Sequence, residues 1–196
     1  MIRNIIGNDD LRISAGIRTG EKPFEGLNKL FIEELKDIYW AEKATALVLP
    51  KMINTASSEE LADELLDQLT LTFDHISKLE NVFDSINLKA EATKCETMDA
   101  LITEALSIIM AHTDDKFKDQ GILSVSRKMQ HYKITSYGIL CSFARTLWEM
   151  EVLAVLEDIL KEEREVYRIM THLSEFLSLN EGDEEAWRYF DIKRRA

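Results

Sequence analysis

Three residues of this 196-residue chain combine metal-binding chemistry with positions where a packed side chain is expected: Glu42, His75 and Glu163. Each falls near the middle of a long stretch whose apolar residues recur in steps of three and four, so each points where a core residue belongs. Two carboxylates and an imidazole projected inward from different helices form a donor set for hard or borderline cations such as iron or manganese. Bundles that hold two metals usually supply four Glu and two His, with a Glu and a His three apart on one helix. That pairing is missing here. Thr72 stands three before His75, Lys128 three before His131, and Val166 three after Glu163.

The elements that carry these residues follow from periodicity. A first long helix is expected from Pro23 to about Thr55, with an inner stripe of Phe31, Leu35, Ile38, Glu42, Thr45 and Leu49. Pro50 removes a backbone hydrogen bond and predicts a kink near Ala46 to Pro50. Ser57 and Glu60 have the spacing of a capping box, which opens a second helix from about Ser58 to Ile86 with His75 in its polar centre. A shorter helix is predicted over Glu96 to His112. A third long helix is predicted over about Asp115 to Trp148, its seam passing through Ile122, Val125, Met129, Tyr132, Ser136, Leu140, Phe143 and Leu147. The fourth covers about Met150 to Leu179, with Leu153, Leu156, Leu160, Glu163, Tyr167, Met170, Ser174 and Leu177 inward.

Four helices of similar length, paired first with second and third with fourth across short loops, predict an all-α fold. The longer connection with its short extra helix makes it a ferritin-like antiparallel four-helix bundle with one crossover. The bundle is assigned to residues 23–179, between an N-terminal arm, 1–22, and a C-terminal tail, 180–196. The arm holds three of the seven glycines and no sustained period; it either stays free or docks on the domain or on a second subunit.

Bulk chemistry narrows the function classes. A formal charge of -12 argues against nucleic acid and anionic membrane as partners, because phosphate binding rests on clustered Lys and Arg. No apolar run has the length of a signal peptide or a membrane span. Cys95 and Cys141 form no metal-spaced pair and suggest a reduced, cytoplasmic setting. Cys95 sits at a helix start, where a thiolate could be favoured, and Cys141 lies in an apolar helix and should be inert.

Several stretches carry a family signature. LFIEELKDIYWAEKA followed by LPKM, then KCETMDALI, KMQHYKITSYGIL and ILKEER, resemble the YciE/YciF-like family of bacterial stress-associated ferritin-like proteins. The resemblance covers about Leu27 to Leu173. It implies a ferritin-like bundle, commonly dimeric, linked with stress responses and carrying a two-metal carboxylate site. Residue by residue it retains Glu42 and Glu163 and places His75 at the family's later Gln or His position of helix 2. It also exposes departures. The family's Glu before the threonine of helix 2 is Leu71 here, its EHYE is Gln130-His131-Tyr132-Lys133, and the Asp usual in the last helix is replaced by Tyr167.

Two divalent cations in a protein interior need several anionic ligands, and these replacements leave the site short of charge. Lys133 offers an ammonium as counter-charge to Glu42 and Glu163, with His75, Gln130, His131 and Tyr167 as further candidates for a core ion-pair network. Plainer readings stand beside this one: Glu42 at a solvated rim, Glu163 on the charged face Lys161 to Glu165, His75 and His131 as ordinary boundary histidines, and Tyr132, Tyr137 and Tyr167 as core aromatics. Two functions follow. One is a homodimeric structural or interaction module with a degenerate metal site and no catalytic residue; the other is a di-iron or di-manganese oxidase, peroxidase or iron-handling protein.

Overall fold

A computed structural model describes residues 21–111 and 114–178, apart from the side chains at 21–23, 115 and 116. The expected arm and tail lie almost wholly outside the described residues. Five helices follow in order: α1 (Glu21–Thr55), α2 (Glu59–Ser85), α3 (Glu96–Met110), α4 (Asp115–Thr146) and α5 (Met150–Ser178). No strand occurs among the described residues.

α1 packs along α2 and α4 along α5, while α1 also meets α4 and α2 meets α5, so the four long helices enclose one core. α3 lies against α1 and α4. Every residue expected on the inner stripe of α1 is buried, from Phe31 through Glu42 to Leu49. The helix runs on through Pro50 to Thr55, and the Ala56 N–H still reaches the Met52 carbonyl at 2.9 Å.

One sequence expectation shifts by one residue. The cap of α2 is Ser58 rather than Ser57: its hydroxyl accepts from the Leu61 N–H at 3.2 Å and donates to Glu60 at 2.6 Å. The Ser57 and Ser58 backbone N–H groups instead both donate to the Asp119 carboxylate at 2.8 Å, which ties the α1–α2 turn to the start of α4. On α4 five residues of the expected seam, Ile122, Val125, Met129, Ser136 and Leu140, are buried, while Tyr132, Phe143 and Leu147 are only partly buried. Lys133 and Tyr137 join the buried face, where the apolar pattern does not mark a lysine.

α3 is held by specific contacts. Cys95 caps it, its sulfur accepting from the Met98 N–H at 3.3 Å, and its thiol donates to the Tyr132 hydroxyl, which donates in turn to Asp37 of α1. Burial raises the Cys95 thiol, against the expectation of a favoured thiolate at this helix start. Gly121 permits the close approach of α3 to α4, since a Cβ there would stand 2.8 Å from Ile108 Cγ2.

Candidate metal centre and ion-pair cluster

The bundle brings four helices together on one buried group of charges. Glu42 comes from α1, His75 from α2, Lys133 and Tyr137 from α4, and Glu163 from α5, and all are buried. Lys133 Nζ lies 2.8 Å from Glu42 Oε2 and 2.5 Å from Glu163 Oε1. These contacts have ion-pair distances without well-directed hydrogen-bond angles. His75 Nδ1 stands 3.0 Å from Glu163 Oε1 and 3.6 Å from Glu42 Oε1, and the Tyr137 hydroxyl donates to Glu42 Oε1 at 2.7 Å.

The outer nitrogen of His75 faces Glu162, also at 3.0 Å, so both ring nitrogens stand beside carboxylates. That setting favours the imidazolium, in which both nitrogens donate. Glu162 in turn accepts from Lys78, and Lys78 also reaches Asp158 and Asp74, each at 2.9 Å. A continuous chain of charge therefore leads from the half-exposed α2–α5 surface to the centre of the bundle.

Electrostatics agree with this arrangement. Burial by itself would raise the Glu42 carboxyl, but Lys133 and His75 outweigh it and hold the group at about 2. Burial would lower His75, yet Glu163 and Glu42 carry it up to about 9. Lys133 also moves up, because the two carboxylates overcome the cost of its burial. The Tyr137 phenol is pushed well above its ordinary range, first by burial and then by the charges of Glu42 and Glu163, so it remains a neutral donor. At neutral pH the Glu42 carboxylate thus faces both the Lys133 ammonium and the His75 imidazolium.

One donor atom from each of Glu42, His75 and Glu163 lies within 4.8 Å of the others, a spacing that could surround a cation. The remaining chemistry does not suit a pair of metals. The Lys133 ammonium is already in contact with both carboxylates, and the donor set supplies only two anions for a charge of four.

The other expected members of the cluster lie elsewhere. Gln130 is fully buried, but neither atom of its amide is hydrogen-bonded, so it does not pair with the glutamates. His131 is exposed and packs on the ring of half-buried Tyr167, centroids 4.2 Å apart. Arg127 stands over the same ring at 5.6 Å. Both His131 and Tyr167 thus belong to the outer α4–α5 face, because burial on these helices follows Lys133 and Val166 rather than their neighbours.

Sequence reasoning missed three members. Tyr137 lies four residues after Lys133, on the same face of α4. Lys78 lies three after His75 on α2, and Glu162 is hidden in the charged run beside Glu163. Spacing alone would have found Tyr137 once Lys133 was placed inward.

An all-helical bundle with inward carboxylates and histidine at its middle defines a ferritin-like protein of the YciF type. The chain belongs to the family described as Domain of unknown function (DUF892), whose pattern matches residues 26–181. It is 32% identical over 139 residues to Protein YciF of Escherichia coli (strain K12), covering 70% of this chain and 84% of that protein. The crystal structure of the E. coli stress protein YciF matches with a TM-score of 0.75 and 30% identity, over 78% of this chain and 96% of that one. The YcfI protein of Rhodopseudomonas palustris is similar at a TM-score of 0.72 and 30% identity, over 74% and 92%.

Proposed function

We propose that this chain is a stress-associated ferritin-like protein whose two-metal site has become a metal-free ion cluster. Its role is structural or interactive rather than oxidative, and it acts as a homodimer. The observation that carries this reading is the Lys133 ammonium, in contact with one oxygen of Glu42 and one of Glu163. A lysine there supplies the positive charge that a cation would otherwise bring and has no redox chemistry. The stress association rests on the likeness to the E. coli stress protein. Two free, buried cysteines suit a reduced, cytoplasmic setting. Among the described residues no helix is long and apolar enough to cross a membrane.

The test is the metal content of protein purified after expression with iron and manganese supplied. The expected result is far below one ion per chain. Near-stoichiometric metal, lost on Glu42→Ala, would sink the proposal. The double substitution Gln130→Glu with Lys133→Glu restores acids to α4, and uptake of iron or manganese by that variant but not by the parent chain would identify these two replacements together as what keeps metal out.

A further inference from the structure

Leu47 on α1 is 76% exposed, and Phe73 and Leu66 on α2 are 58% and 51% exposed. The three are neighbours. Leu66, Phe73 and Glu80 follow one another at two-turn spacing on one face of α2, and Glu80 accepts from the Tyr39 hydroxyl of α1 at 2.7 Å, so that face borders α1. Leu47 follows Lys43 by one turn, and the Lys43 ammonium stands over the Tyr39 ring at 4.9 Å, so Leu47 lies on the α2 side of α1. The Tyr39–Glu80 and Glu42–His75 contacts fix the antiparallel register of the two helices and bring Leu47 level with Phe73 to within one turn. Exposed Pro50 and half-buried Leu69 and Ile76 extend the apolar strip along the groove between the helices.

Among the described residues the other elements meet these helices on different sides. α3 reaches α1 through Met98, beside buried Thr45. The α2–α3 connection crosses α1 higher up, where Glu91 pairs with Lys36 at 2.9 Å and the Thr93 N–H reaches the Lys36 carbonyl.

Charge is sorted across this face. Between Ile38 and Thr55, α1 exposes Lys43 and Lys51, and the one carboxylate of that stretch, Glu42, is buried. Between Glu59 and Ser77, α2 exposes Glu59, Asp63, Asp67 and Asp74 and carries no lysine or arginine. An apolar strip thus separates a basic edge from an acidic one.

Such a face complements its own copy in one arrangement. A two-fold axis parallel to the helices lays α1 of one chain on α2 of the other at the same height, so Leu47 of one copy meets Phe73 of the other and the lysines approach the acidic edge. An axis across the helices would instead set lysines against lysines and carboxylates against carboxylates. The area is also sufficient. From Glu59 to Ser77 the face is about 28 Å long and, at two helices wide, about 20 Å across, or on the order of 550 Å² per copy. Two copies bury about 1,100 Å², above the roughly 1,000 Å² expected of a specific interface.

We propose that the outer α1–α2 face is the interface between two copies of this chain, related by a two-fold axis parallel to these helices. The proposal deepens the homodimer reading given above and rests on it. The ion cluster plays no part in it.

Sedimentation equilibrium of the full chain separates the two claims. The parent is expected to be dimeric at about 10 µM, and Leu47→Asp with Phe73→Asp should raise the dissociation constant about a hundredfold. A parent that stays monomeric at about 100 µM would overturn the proposal together with the homodimer reading. A variant that dimerises as tightly as the parent would overturn the proposal and leave that reading standing. Cross-linking frees the test from any folding defect of the acidic variant. Chains carrying Leu47→Cys are mixed with tagged chains carrying Phe73→Cys and oxidised, while Cys95 and Cys141 stay buried. Disulfides are expected between the two kinds of chain and within neither. Links between chains of the same kind, or none at all, would overturn the two-fold arrangement.

Discussion

The middle of the bundle and its α4–α5 end break the rule of apolar inside and polar outside in opposite ways. At the centre, the ionisable side chains Glu42, Glu163, Lys133 and His75 are buried, and each meets a partner of opposite charge type within 3.0 Å. At the end, Trp148 and Met150 are apolar and exposed, on a backbone conformation that suits glycine. The first violation is compensated within the described structure and the second is not. Compensation separates a group retained for the fold from one that points to a partner.

The largest effect should come from removing the central cation. Lys133→Met keeps the volume but leaves two buried carboxylates facing each other, and removing one side of a buried pair costs roughly 3 to 5 kcal/mol. Denaturant unfolding should show a loss of that size, with Glu42 titrating upward towards the ordinary carboxylate range. An unaltered midpoint would mean that the cluster is solvated, and the contrast with the bundle end would then collapse.

The pH dependence comes next. Glu42 is depressed from 4.5 to about 2, so its contribution is present above about pH 4.5 and is lost as pH falls through 2. His75 is raised from 6.5 to about 9, so its contribution is complete below pH 6.5 and is lost as pH rises through 9. Stability should therefore peak between these two limits, with an alkaline decline on the order of 3 kcal/mol. His75→Gln should flatten the alkaline limb and, because His75 also helps to depress Glu42, move the acid limb to higher pH with part of it retained through Lys133. A decline that survives this substitution would assign it to another group.

A smaller loss is expected at the opposite end of the bundle. Asp119 is buried and accepts both backbone N–H groups that open the α1–α2 turn. Asp119→Ala leaves those donors unmet and should cost about 2 kcal/mol, with amide exchange quickening at Ser57 and Ser58 before the rest of α2.

The sequence made the fold legible because the period of three and four is strong on α1, α2 and α5, and the helix boundaries fall within a few residues of expectation. Glu42, His75 and Glu163 were also readable, since a polar residue on an apolar stripe stands out. The partners were harder to place. His131 and Tyr167 sit one or two residues from inward positions, and a helix turns by about 100° per residue, so a small error in the seam exchanges core for surface. Glu162 and Lys78 look like ordinary surface charge until α2 and α5 are placed side by side. The left-handed backbone at Trp148 has no signature in its own residue type, because the turn normally announces itself with glycine or asparagine.

The finest effect concerns that turn. Placing glycine at a left-handed position removes the Cβ contact, so Trp148→Gly should stabilise the bundle by about 1 kcal/mol where nothing else depends on the indole. Asn87→Gly, at the equivalent place after α2, should change stability by only a few tenths, since asparagine already tolerates the geometry. Chemical unfolding of the two variants checks both values, and equal gains would show that the backbone at Trp148 carries no more strain than that at Asn87.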